Sequence, residues 1–318
     1  MSDMPFLSCT AHSWPRGWAV VIRTIPGRTI TRALLAALAL LLGCGGGPRA
    51  AGRLPVVDDA GDTVLVTPPA RRIASLVPAT TELLFAIGAG SSLVGRTAWC
   101  DYPPAAAEVP NLGDGITPNL ETILAATPDL VILYNSAQNA RAAARLRDLG
   151  LPVLRLTTNS LSDVGRVARI LGSLTGRARE ADSLAAALDT ALAAASVAPG
   201  PGAPDVLLLV WEQPPMTVGR GSFLSELVER AGGRNLFGDI AAADATVSIE
   251  AIAVRDPDLV LTTADGPSAF VDRPEWRAVA AVRERRFVKV TGSEFSRPGP
   301  RTPAAIRTLA GLLRERKR

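Results

Sequence analysis

The 318-residue sequence holds one histidine, His12, three cysteines and an aromatic content of only 4%. Each scarcity excludes something. His12 falls in a stretch read below as a leader, so the mature chain has no imidazole for a metal site, a haem ligand or a Ser-His pair. Cys9 would leave with that leader and Cys44 stands at its end, which leaves Cys100 without an intramolecular partner. An exported chain of this kind must rely on its core, not on disulfides. The apolar run 33–42 falls short of the ~20 residues that span a bilayer. Residues 1–43 take four of the 34 Lys and Arg and one of the 30 acidic residues, so the remainder carries a net charge of +1. No basic stripe or basic tract with interleaved aromatics remains, which argues against a nucleic-acid partner.

Arg23, Arg28 and Arg32 precede the run 33–42, and a small residue, Gly43, follows it. A basic n-region, an h-region of about 10 residues and a small residue before cleavage describe an export signal. The ending Leu41-Leu42-Gly43-Cys44 resembles a bacterial lipobox, which would make Cys44 the lipidated first residue. An ordinary signal peptide or a signal anchor with an incidental cysteine is the alternative. Residues 1–20 lack signal character and read as sequence ahead of a later start codon. The division expected is 1–43 lipoprotein signal peptide, 44–55 tether, 56–160 N-terminal α/β lobe, 161–202 helical linker and 203–318 C-terminal α/β lobe.

The two lobes are announced by a repeat. Residues 119–133 and 248–262 correspond at a constant offset of 129, matching Glu121 to Glu250, Ile123 to Ile252 and Pro128-Asp129 to Pro257-Asp258. Each copy reads as a cap, a glutamate in the first helical turn, a short amphipathic helix, a Pro-Asp break and an apolar strand. The spacing is too long for a solenoid. Around the copies, strand and helix signals alternate, with strands expected at 72–76, 93–97, 130–134, 153–156, 206–211, 259–263 and 287–290, and helices between them. This rhythm predicts α/β lobes with mostly parallel sheets. Residues 161–197 carry no strand signal and predict one helix to about Leu174 and a long one from about Arg177 to Val197, broken by the prolines at 199–204. The expected architecture is therefore two lobes joined by one long bridging helix, with a ligand cleft between them.

Several segments carry a family resemblance: Arg72-Ile-Ala-Ser-Leu-Val-Pro-Ala-Thr-Thr-Glu-Leu-Leu83, Cys100-Asp-Tyr-Pro-Pro104, Asn119-Leu-Glu121 and Pro128-Asp-Leu-Val131. In this order they resemble the helical-backbone periplasmic binding proteins of ABC importers, closest to the vitamin B12-binding and iron-siderophore receptor branch. The resemblance runs from about residue 56 to the C-terminus. It implies that Glu121 and Glu250 dock the lobes onto a dimeric permease; a favourable helix dipole alone would account for a glutamate in either place, though not for both in one frame. It implies a cleft built from Val77, Pro78, Ala79, Trp99, Tyr134, Trp211, Glu294, Phe295 and Arg297. Aromatics there suit a large, flat, partly apolar ligand. Core packing is the competing role for Tyr134, Trp211 and Trp276. Two aromatics of the corrinoid-binding members are missing, since Gly113-Asp-Gly-Ile-Thr-Pro118 and Ala241-Ala-Ala-Asp-Ala-Thr246 stand where they would fall.

The remaining motifs have plainer readings. Gly88-Ala-Gly90 follows a helix and reads as its C-cap, and Ser222 reads as a helix N-cap. Cys100 reads as a partly buried thiol, with cobalt or iron ligation the alternative. The sequence thus predicts an exported, lipid-anchored binding protein, without catalysis, metal site or resident cofactor. Its ligand would be a corrinoid, with a ferric siderophore or haem as the alternative. An exported two-lobed hydrolase and a scaffolding lipoprotein are the readings from other classes.

Overall fold

A computed structural model describes residues 52–263 and 269–316. The leader, Cys44 and the start of the tether lie outside the described residues. Leu54 and Pro55, expected at the end of the tether, already belong to strand β1 (Leu54–Val57), which pairs antiparallel with β2 (Thr63–Val66). This hairpin was not expected from the sequence. Its acidic turn fastens it to the lobe: Asp58 pairs with Arg147 at 2.8 Å, Asp59 with Arg166 at 2.7 Å, and Asp62 with Arg147 and Arg155.

The first lobe is a four-stranded parallel sheet, ordered β4 (Leu93–Arg96), β3 (Ile73–Ser75), β5 (Leu130–Tyr134) and β6 (Val153–Leu156). The chain leaves β3 toward β4 on one side and returns to β5 on the other. That reversal opens a crevice beyond the carboxyl end of β3, where ligands of open α/β sheets bind. Helix α1 (Pro78–Ala86) follows β3, and α2 (Leu120–Ala125) and α3 (Ala137–Asp148) flank β5.

The second sheet is ordered β10 (Asp244–Thr246), β8 (Pro215–Val218), β7 (Asp205–Glu212), β11 (Leu259–Thr262) and β12 (Phe287–Lys289), with β9 (Arg234–Asn235) beside the start of β7. Strands β7, β9, β11 and β12 run parallel, but β8 and β10 are antiparallel to their neighbours, so this sheet is mixed. Only two residues, Gln213 and Pro214, separate β7 from β8, and so short a connection permits an antiparallel return alone. Helices α6 (Phe223–Arg230) and α7 (Ile249–Arg255) belong to this lobe. The helix expected at 275–285 is divided into a 3-10 turn, Pro274–Ala278, and a single turn, α8 (Ala280–Arg283), by the extended residue Val279.

Between the sheets stand α4 (Leu161–Thr175) and α5 (Ala178–Ala195). Gly176 ends α4 in the left-handed conformation at φ 72°, which costs glycine nothing. Gly172 lets the two helices touch: a Cβ there would lie 2.5 Å from that of Ala181. At 18 residues α5 is ~27 Å long and is the bridging helix. α4 packs on α1 of the first lobe, and α5 packs on the C-terminal helix α9 (Thr302–Arg316) of the second. One apolar cluster runs through all of it, from Ile73, Leu83 and Leu130 through Leu171 and Leu188 to Leu208, Leu227 and Leu309.

The repeat is structurally equivalent in its two copies. Asn119 and Ser248 cap their helices by accepting from the backbone amides of Thr122 and Ala251, each at 3.2 Å. Ile123 and Ile252 are fully buried. Thr127 and Asp256, 129 apart, both take positive φ, 44° and 47°. Asp129 accepts from the Arg71 and Arg72 amides, as Asp258 accepts from the Asp205 amide, so each Pro-Asp aspartate ties its strand to the entry of the neighbouring one.

Candidate ligand cleft

The loop after β3 is held by hydroxyls. Thr80 Oγ1 donates to the Val77 carbonyl at 2.8 Å and lies 2.7 Å from Ser75 Oγ, which also accepts from Thr81 Oγ1 at 2.9 Å. Cys100 is buried against Thr81 and Thr97 at 3.2 and 3.3 Å, which makes it a packed thiol. Pro78 opens α1, where its missing amide proton costs nothing. Opposite, Gly115 at φ 77° presses against the Leu76 carbonyl, which a Cβ would meet at 2.7 Å. Asp114 pins the same turn by accepting from the amides of Ile116 and Thr117, each at 2.8 Å.

These loops and the second lobe enclose a cavity of about 970 Å³. Val77, Pro78, Ala79, Trp99 and Tyr134 line it from the first lobe and Arg297 from the second. Trp99 is 62% exposed, and Ile116 stands on the wall where the corrinoid-binding pattern led one to expect an aromatic. A second chamber of about 330 Å³ adjoins it, lined by Val210, Phe223, Leu224 and Phe295. Tyr134 and Asn159 line both, and the Tyr134 hydroxyl donates to Asn159 Oδ1 at 2.6 Å.

Two of the residues expected in the cleft are absent from the lining of both chambers, though neighbours of each line them. Trp211 lines neither chamber; it is 60% exposed on the β7–β8 hairpin, and its indole donates to the Gln213 carbonyl at 2.8 Å. Glu294 also lines neither and pairs with Arg301 at 2.6 Å. Trp276 is core, 4.9 Å from Phe270 between ring centroids.

Glu294 belongs to an ionic clasp between the lobes that the sequence did not disclose. Glu82, 3% exposed on α1, accepts from Arg297 Nε at 2.6 Å and from Arg301 Nη2 at 2.7 Å. Arg297 also donates to the Trp99 carbonyl at 3.1 Å and pairs with Asp101. The Arg301 guanidinium lies 4.2 Å over the Tyr102 ring. Burial is the largest single influence on Asp101 and opposes its ionisation, but the hydrogen bond and charge of Arg297, with the Ser293 hydroxyl, together outweigh it and hold the carboxyl below its ordinary range. The amide of Thr117, then that of Ile116, lowers Asp114. The clasp thus ties α1 of the first lobe to residues 294–301 of the second.

Glu121 and Glu250 are exposed, away from both chambers. The Glu250 carboxyl is lowered by its own backbone amide and by the Ser248 hydroxyl, as a carboxylate in a first helical turn should be. Among the described residues, no group of three His, Cys, Asp or Glu side chains is placed to hold a metal ion.

The profile of the family described as periplasmic binding protein matches residues 73–293. The chain is 30% identical over 305 residues to the ABC transporter substrate-binding lipoprotein YvrC of Bacillus subtilis (strain 168), covering 88% of this chain and 95% of that protein. It is 29% identical over 251 residues to the vitamin B12-binding protein of Vibrio cholerae serotype O1, covering 77% of this chain and 90% of that protein. Among solved structures, the periplasmic heme-binding protein RhuT from Roseiflexus sp. RS-1 in apo form is similar with a TM-score of 0.68 at 26% identity, covering 78% of this chain and all of that one.

Proposed function

The chain belongs to the periplasmic binding protein family, and on that premise we propose that it is the substrate-binding component of an ABC importer and carries a corrinoid. The observation that carries the ligand reading is the two-lobed cavity of about 970 Å³ with an uncovered indole, Trp99, on its wall. A volume at the upper end of small-molecule sites suits a macrocycle, and a free aromatic face suits a flat one. The similarity to a vitamin B12-binding protein supports it. Val77, Pro78, Ala79, Tyr134 and Arg297 complete the contact set in the larger chamber, and Phe295 contributes from the smaller one.

A ferric siderophore is the second reading, since its bulk would also fill the larger chamber. Haem is disfavoured by the donors at hand: the described residues hold no histidine, and Tyr134, the tyrosine on the cavity wall, already donates to Asn159. Delivery follows capture, with Glu121 and Glu250 engaging basic sites on the two permease subunits. Cys44 would carry the lipid that anchors the protein at the cell envelope, on the periplasmic side in a Gram-negative cell, a reading supported by the lipoprotein relative.

Purified protein incubated separately with cobalamin, haem and a ferric siderophore and then desalted tests this. The expected result is a retained cobalamin spectrum in about equimolar amount. Retention of haem or the siderophore alone would replace the corrinoid reading.

A further inference from the structure

The larger chamber has a charge that its cation does not reveal at first sight. Among its described lining residues the charged side chains are Asp101, Asp114 and Arg297. An arginine on a cavity wall ordinarily receives an anion in a fork of donors. Arg297 is not free to do so. Its Nε serves Glu82, its Nη1 the Trp99 carbonyl and its Nη2 Asp101. Its side chain is only 12% exposed. Glu82 in turn is shared with Arg301, which also serves Glu294. The clasp as a whole sets three carboxylates, Glu82, Asp101 and Glu294, against two guanidiniums. Asp114, on the facing wall, adds a fourth carboxylate whose partners are neutral amides and a hydroxyl.

We infer that Glu82 sets the charge specificity of the cleft: by engaging Arg297 it converts the chamber's arginine from an anion receptor into a strut, leaving a net-negative wall that accepts neutral or cationic chelates and turns away anionic ones. The inference rests on the reading of this cavity as the ligand site, but not on the ligand being a corrinoid. Asp101 and Asp114 are both held in the ionised form at neutral pH by their donors. A like charge brought beside them loses its hydration without gaining a partner. Glu82 acts through Arg297 without lining the chamber, so its role is one of positioning.

Two ligand scaffolds, each in two charge states, test the idea by calorimetry at low ionic strength. One is cyanocobalamin against its anionic monocarboxylate, in which one side-chain amide is hydrolysed. The other is cationic ferrioxamine B against its N-succinylated, anionic form. In each scaffold that binds, the less negative member should bind about tenfold tighter or more, and the ratio should shrink with added salt. Asp114→Asn, which keeps an acceptor for the turn, should reduce the ratio. Glu82→Gln should move it further toward the anion, because Arg297 loses its buried counter-charge. Should Glu82→Gln fail to fold, the wild-type ratios and Asp114→Asn still decide. Equal affinities within a pair, or tighter binding of the anion, overturn the charge rule even if cobalamin binds. A preference among the ferrioxamines without cobalamin binding upholds the charge rule and removes the corrinoid. Binding of neither scaffold overturns both.

Discussion

Replacing Trp99 by alanine separates ligand binding from folding. A tryptophan presents up to ~250 Å² of surface. At 62% exposure, roughly 150 Å² of Trp99 is open to solvent. A flat macrocycle lying on one face would hide about half of that, ~75 Å², contributing ~2 kcal/mol at ~25 cal/mol/Å². Aromatic stacking adds about 0.5–1.5 kcal/mol. Trp99→Ala should therefore weaken cobalamin binding by about 2.5–3.5 kcal/mol, roughly 70- to 400-fold in Kd. The fold should hardly notice. Its hydrogen bonds are made by its backbone: the amide donates to Thr97 Oγ1 at 3.2 Å and the carbonyl accepts from Arg297 and from the Asp101 amide, each at 3.1 Å, and alanine keeps all three. The melting temperature should stay within a few degrees, as for a surface substitution of ~0.5 kcal/mol. Calorimetry with cobalamin beside a thermal melt measures both. An unchanged Kd would refute the stacking argument, and a large fall in melting temperature would show that the indole serves the fold instead.

Reversing both exposed glutamates, Glu121→Arg with Glu250→Arg, should abolish uptake in reconstituted vesicles while leaving ligand affinity near wild type, with each single reversal intermediate; wild-type uptake by the double variant would leave them as helix-dipole charges only. Trp276→Ala empties a fully buried site packed on Phe270 and should cost ~3–5 kcal/mol in denaturant unfolding. The folded-state pKa of Asp101 lies below its ordinary value of 3.8, so its contribution to stability is complete above that value and is lost as the pH falls through the folded pKa. Asp101→Asn should accordingly melt earlier than wild type at neutral pH, and the gap should close in acid.

Much of this architecture was legible because its strands are buried on both faces. Ile73, Leu130–Tyr134 and Leu259–Thr262 form apolar runs that read as parallel strands from sequence alone. The β1–β2 hairpin was not legible, because a two-stranded ribbon is marginal by itself and this one depends on Arg147, Arg155 and Arg166, some 85 to 107 positions away. Trp99, singled out from its loop position and the motif before Asp101-Tyr102, stands on the wall of the larger chamber. Trp211, one residue before the end of β7, lines neither chamber; its indole is held by the Gln213 carbonyl at the β7–β8 turn, a contact that no strand pattern reveals. Glu82 looked like an ordinary helical residue; its partners lie 215 and 219 residues away, beyond any local pattern.

The apolar cluster that runs from Ile73 through Leu171 and Leu188 to Leu309 bears on how the molecule comes apart. Either half expressed alone would present the flank of that cluster to water, with α4 or α5 stripped of its cover. The halves are thus separate as geometry but not as thermodynamic units, and heat should melt residues 52–316 in one cooperative step. Exchanging a half with a relative would succeed only if the helical hairpin and the side chains beneath it travelled as well. Whatever opens the cleft for release must work against a shared interior, which leaves the importer, not spontaneous gaping, to extract the cargo.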